Sequence, residues 1–91
     1  MATDISDEQA YVAIDRGVKI GGTEPCRESK GSWWSVRVYR GKIYACAIWP
    51  GQGASGGEEI TADELPLYCD DPDAARKALA MELERTGRAT A

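Results

Sequence analysis

The clearest pattern of hydrophobic and polar positions is a pair of alternating runs, Trp33–Tyr39 and Lys42–Trp49, joined by Arg40-Gly41. Side chains alternate across a strand. A two-residue turn therefore sets Tyr39 opposite Lys42, Val38 opposite Ile43, Val36 opposite Ala45 and Trp34 opposite Ala47. One face of this hairpin carries Trp34, Val36, Val38, Ile43, Ala45 and Ala47, all apolar, and belongs to the core. The other carries Trp33, Ser35, Arg37, Tyr39, Lys42, Tyr44, Cys46 and Ile48, which mixes aromatic and basic groups. A one-residue slip would bury Arg37 and Lys42, so the register is well specified.

Two helices are expected around the hairpin. In residues 72–86, Ala75, Ala78, Leu79, Glu82 and Leu83 fall on one side, Asp71 can cap, and Pro72 suits the first helical position. Asp73 complements the macrodipole and Gly87 ends the segment. Residues 7–16 follow Ser6 with Gln9 three residues on, the form of a capping box, and Gly17 stands at the far end. Tyr11, Val12 and Ile14 also suit a strand, and the caps at both ends favour the helix.

The remaining segments read less sharply. Val18-Lys19-Ile20 alternates as a short strand closed by Gly21-Gly22. Residues 21–32 and 50–58, rich in glycine and holding Pro25 and Pro50, are expected to be flexible loops. Thr61 to Glu64 suits one capped helical turn. Residues 65–69 read as extended, with Pro66 restricting them to an edge strand or coil. Residues 88–91 read as a frayed tail. The expected architecture is one α+β domain over 1–91. Its small antiparallel sheet (hairpin 33–39/42–49 plus one or two short strands) is covered on one face by the C-terminal helix 72–86 and the N-terminal helix 7–16.

Composition narrows the function classes. The chain has 91 residues, 43% hydrophobic and 29% charged, which is ordinary for one small soluble domain with a thin core. It is too short for a two-domain dinucleotide enzyme, a barrel enzyme or a kinase. No apolar run approaches the roughly 20 residues that cross a bilayer. The polar, acidic start is unlike a secretory signal, so a cytoplasmic, non-membrane protein is expected. There is no histidine, which removes the commonest general base and metal ligand. Cys26, Cys46 and Cys69 lack metal-ligand spacing and are expected as free thiols. No nucleophile motif of the G-x-S-x-G or S-x-x-K kind occurs. No enzyme activity, cofactor or metal is therefore expected. Gly51 to Gly56 matches G-x-G-x-x-G, but Gly57-Glu58-Glu59 follows and would set two carboxylates against a phosphate.

Charge is unevenly laid out. Residues 1–25 sum to −3, residues 26–57 to +4 and residues 58–91 to −5, within a net −4. Two candidate surfaces follow. The first is the outer hairpin face, Trp33, Arg37, Tyr39, Lys42 and Tyr44, where aromatic and basic groups interleave as in protein hot spots and single-strand stacking platforms. Its alternatives are an Arg37–Tyr44 cation–π pair across the strands, or cover by another segment. The second is the acidic set Glu58, Glu59, Asp63 and Glu64, which complements a basic partner.

The run Cys69-Asp70-Asp71-Pro72-Asp73-Ala74-Ala75-Arg76-Lys77-Ala78-Leu79 after a hairpin resembles the strand-to-helix junction of double-stranded-RNA-binding domains. It is also similar to an antitoxin fold in which three strands precede such a helix. The RNA-binding family has lysines where this chain has Asp70, Asp71 and Asp73, so duplex RNA binding by that route is not expected. In size, acidity and lack of catalytic groups the chain resembles small phage anti-defence proteins of the anti-CRISPR type. That resemblance implies an inhibitor that occupies a functional surface of a larger nucleic-acid-handling protein or ribonucleoprotein. The alternatives are direct nucleic-acid binding on the hairpin face, and a homodimer through the hairpin edge.

Overall fold

The computed structural model describes residues 3–23, 33–49, 51 and 53–86. Its elements are β1 (Thr3–Ile5), α1 (Asp7–Arg16), β2 (Val18–Gly22), β3 (Trp33–Tyr39), β4 (Lys42–Trp49), β5 (Gly53–Ile60), a 3-10 turn (Ala62–Glu64), α2 (Leu65–Tyr68) and α3 (Pro72–Arg85). The strands form one antiparallel sheet in the order β1-β5-β4-β3-β2. The fold is α+β, and residues 24–32 (with Cys26), Pro50, Gln52 and 87–91, which include the expected helix-ending Gly87, lie outside the described residues.

The hairpin has the expected register, from Tyr39 opposite Lys42 to Trp34 opposite Ala47. Arg40 at φ 51° and Gly41 at φ 77° form the left-handed pair of a type I′ turn. The hairpin is central in the sheet, flanked by β2 and β5. Both edges of the hairpin are therefore paired within the chain, and the outer edges of the sheet belong to β1 and β2.

Each face of the sheet has its own core. On one, Ile20, Val36, Val38, Ile43, Ala45 and Ile60 pack with Leu65, Tyr68, Cys69, Ala75 and Leu79 of the segment holding α2 and α3. Trp34 closes this core edge-on against Tyr68, ring centroids 5.0 Å apart. On the other, Ala10 and Ala13 of α1 pack on Cys46 and Ala54, with Ile5, Ile14, Tyr44 and Ile48 around them. The helices thus cover both faces, not one. The physical reason is direction. Ile5 and Ser6 lead α1 away from β1 at one edge, and α1 crosses to deliver the chain to β2 at the other.

Two segments depart from expectation. Residues 53–58, expected within the flexible loop 50–58, belong to the eight-residue strand β5. Its glycines are what let it pair. Gly57 has φ +144°, and a Cβ there would stand 2.1 Å from the Ala45 carbonyl oxygen. Residues 65–69, expected to be extended, hold the single helical turn α2, because Pro66 occupies an N-terminal helical position where its missing N–H costs nothing. Gly17 does follow α1, yet its backbone is extended (φ −82°) rather than left-handed. It is glycine because a Cβ would meet the Ala13 oxygen at 2.3 Å.

The caps are as read. Gln9 N donates to Ser6 Oγ at 3.2 Å and Ser6 N to Gln9 Oε1 at 2.9 Å. Ala74 N donates to Asp71 Oδ1 at 3.1 Å. Asp70 N donates to the Gly22 carbonyl at 2.9 Å, which closes that end of the β2 edge.

Candidate functional site

α1 lies across the aromatic–basic face of the hairpin and divides it. Ala10 and Ala13 sit on its middle, over Cys46. On one flank of α1, Glu8, Gln9 and Val12 line a cleft of about 350 Å³ with Tyr39, Arg40, Lys42 and Tyr44. On the other flank, Tyr11 comes within 3.9 Å of the space a Cβ on Gly53 would fill, and Gly53 is paired with Trp49. Trp33, half-buried, pairs with Ile48 at this second end. The five residues expected to share one surface are therefore split. Tyr39, Lys42 and Tyr44 lie in the cleft at the turn, and Trp33 lies at the opposite end of the strands.

Arg37 stands between them and is half-buried. Its Nε donates to Ser35 Oγ at 3.0 Å. The expected pairing of Arg37 with Tyr44 keeps its register, but the cation–π contact is made by Arg40, whose guanidinium lies 5.4 Å from the Tyr39 ring centroid. Arg40 is the residue the sequence reading missed. The first central position of a type I′ turn favours Asn, Asp or Gly. A branched-free but Cβ-bearing arginine in the left-handed region costs roughly 1–2 kcal/mol, so its presence there was the available signal. Glu8, Gln9 and Val12 carried no such mark, since their role depends on where α1 lies.

The four acidic candidates do not share one environment either. Glu58 and Glu59 are neighbours in a strand and point to opposite faces. Glu58 pairs with Ala45 on the α2–α3 face, where it accepts a hydrogen bond from the Tyr68 hydroxyl. That bond, with burial, pushes Tyr68 up to about 12. Glu59 pairs with Tyr44 on the α1 face, and Lys42 Nζ lies 3.8 Å from its carboxylate. Both partners are substantially exposed, so this ion pair contributes little. Glu64 Oε1 accepts from Thr61 N and Thr61 Oγ1, both at 3.0 Å, which holds its carboxyl below the ordinary value. Asp63 is exposed.

What the fold does bring together is the two acidic ends of the chain. Asp4 of β1 is paired with Glu58, and Thr3 with Glu59. Asp7 and Glu8 open α1 directly after β1. Asp63 and Glu64 follow β5 directly. The β1–β5 side of the sheet is thus acidic. Toward the far edge, Lys19 of β2 is paired with Arg37 of β3, and Arg16 ends α1.

Cys46 is buried and its thiol is pushed up to about 11, chiefly by that burial. Burial also raises Cys69. Neither is a ready nucleophile. Among the described residues no cluster of His, Cys, Asp and Glu is placed to hold a metal ion, and no helix is long and apolar enough to cross a membrane. Comparison of the chain with protein-family models, curated proteins and solved structures returns no match.

Proposed function

We propose that this protein is a non-enzymatic binding module that sets its acidic β1–β5 side against a basic, nucleic-acid-binding surface of a larger protein or ribonucleoprotein, and so inhibits it. The observation that carries this is the pairing of β1 with β5. It brings Asp4, Asp7 and Glu8 from one end of the chain to the same edge of the sheet as Glu58, Glu59, Asp63 and Glu64 from the other, with Glu58 and Glu59 on opposite faces of that edge. Carboxylates so gathered take the place of phosphates on a basic surface, speed encounter and exclude the nucleic acid. Reading the hairpin face as a single-strand platform has less support, because α1 lies across its middle.

The test is a capture experiment on the full chain, with lysate split into nuclease-treated and untreated halves. A stoichiometric protein partner is expected in both halves. It should be lost with Asp4→Lys plus Asp63→Lys and retained with Arg37→Glu plus Lys42→Glu. A catch that disappears with nuclease, or one lost only with the second variant, would overturn the proposal.

A further inference from the structure

We infer that the cleft between α1 and the hairpin turn is a site for one nucleotide, a base with a phosphate attached. This goes beyond the acidic surface and does not depend on it, although the two adjoin at Glu8. Three observations converge on it.

The first is shape. A volume of about 350 Å³ lies at the small end of the roughly 300–1,000 Å³ usual for ligand sites. It admits one nucleotide and not a strand, since α1 stops the surface from continuing along the hairpin. The second is the arrangement of the lining. Tyr44 and the face of Tyr39 away from Arg40 offer rings, Val12 an apolar wall, and Arg40 and Lys42 cations, with Lys42 3.8 Å from the exposed Glu59 carboxylate. Aromatic faces stack bases, and a guanidinium holds phosphate in a fork. On the α1 wall, Glu8 supplies a carboxylate that accepts two N–H donors side by side, the pattern on the edge of guanine. Gln9 Oε1 is engaged by Ser6 N, so its amide NH₂ is the group it can offer a base carbonyl.

The third is backbone strain. Arg40 holds φ 51°, a conformation that asparagine or glycine takes far more readily. Strain kept at a turn that lines a cleft points to a use for the side chain. The Arg40 guanidinium lies over one face of the Tyr39 ring, 5.4 Å from its centroid, beside the cleft.

The same chemistry is offered by a free nucleoside monophosphate and by the terminal nucleotide of a strand. The test is titration of the full-length protein, followed by NMR shifts of Val12, Tyr39 and Tyr44. The probes are guanosine monophosphate, uridine monophosphate, inorganic phosphate and a four-nucleotide strand ending in guanosine. Saturable binding of the guanosine nucleotide is expected, at least tenfold tighter than phosphate alone and tighter than the uridine nucleotide. Tighter binding of the strand than of the monophosphate assigns the site to strand ends, and equal binding assigns it to the free nucleotide. Arg40→Asn relieves the left-handed backbone. It is expected to lose at least tenfold in affinity with an unchanged or higher Tm, whereas a merely structural arginine would lower Tm. Absence of saturable shifts at millimolar nucleotide, or equal binding by Arg40→Asn, would overturn the assignment.

Discussion

The two faces of the sheet are packed on different principles. The α2–α3 face is filled by large side chains: Val36, Ile43, Ile60, Leu65, Tyr68 and Leu79 all belong to its core, and Leu65 and Val36 are completely buried. The α1 face is filled by Ala10, Ala13, Ala54 and Cys46. Small residues bring a helix backbone close to a sheet and bury little apolar area per residue. The first face therefore carries most of the hydrophobic stabilisation. The second has a tight central contact with open flanks, and one of those flanks is the cleft. The lesson is that the face contributing least to stability is the one left with room for a ligand.

That contrast can be broken by mutation. Leu65→Ala should have the largest effect, about 3 kcal/mol, because it removes a fully buried side chain from the large-residue core. Urea denaturation reads it as a lower midpoint at unchanged slope. Ala13→Leu should cost about 2 kcal/mol by wedging α1 off the sheet. A neutral result would mean that the α1 contact is loose and the contrast false. Ser6→Ala should cost about 1 kcal/mol through loss of the α1 cap, seen as faster amide exchange in the first turn of that helix.

A further effect, absent near neutrality, appears at high pH and involves both faces. Cys46 on the α1 face is raised from 9.0 to about 11, and Tyr68 on the other from 10.0 to about 12. Above the lower value of each pair the unfolded chain releases a proton that the folded chain retains. Stability therefore falls as pH rises past about 9 for Cys46 and past about 10 for Tyr68. Cys46→Ala should reduce the loss that begins near pH 9 without abolishing it, because burial also raises Cys69 on the other face, and should leave the later loss unchanged. Glu82, lowered by the Arg85 hydrogen bond, gives the opposite slope, with its contribution lost as pH falls through its folded value.

The hairpin's large-residue face and the start of α1 were legible in the sequence, and the strand and helical turn that complete the two faces were not. Alternating Val36, Val38, Ile43 and Ala45 announce a strand pair and its register, and Ser6 with Gln9 announces where α1 starts. Gly53 to Glu59 announces nothing, since the first five residues of β5 are all glycine, alanine or serine, and the glycines and alanine among them disfavour strands. Their smallness makes sense only once α1 lies on Ala54 and β4 approaches Gly57. Pro66, expected to restrict residues 65–69 to an edge strand or coil, stands where a helix begins. The candidate site was half visible for the same reason. Tyr39, Lys42 and Tyr44 are marked by alternation, but their separation from Trp33 and their union with Glu8, Gln9 and Val12 follow from the path of α1.

The placement of α1 is therefore what everything else rests on: the gathering of the acidic ends, the division of the hairpin face and the cleft. The most direct measurement is a nuclear Overhauser spectrum of the assigned methyl groups. The account predicts cross-peaks from the Ala10 and Ala13 methyls to Cys46 and Ala54, together with contact between the Tyr11 ring and Gly53. Cross-peaks from these methyls to residues of α3 instead, or none to the sheet, would contradict it.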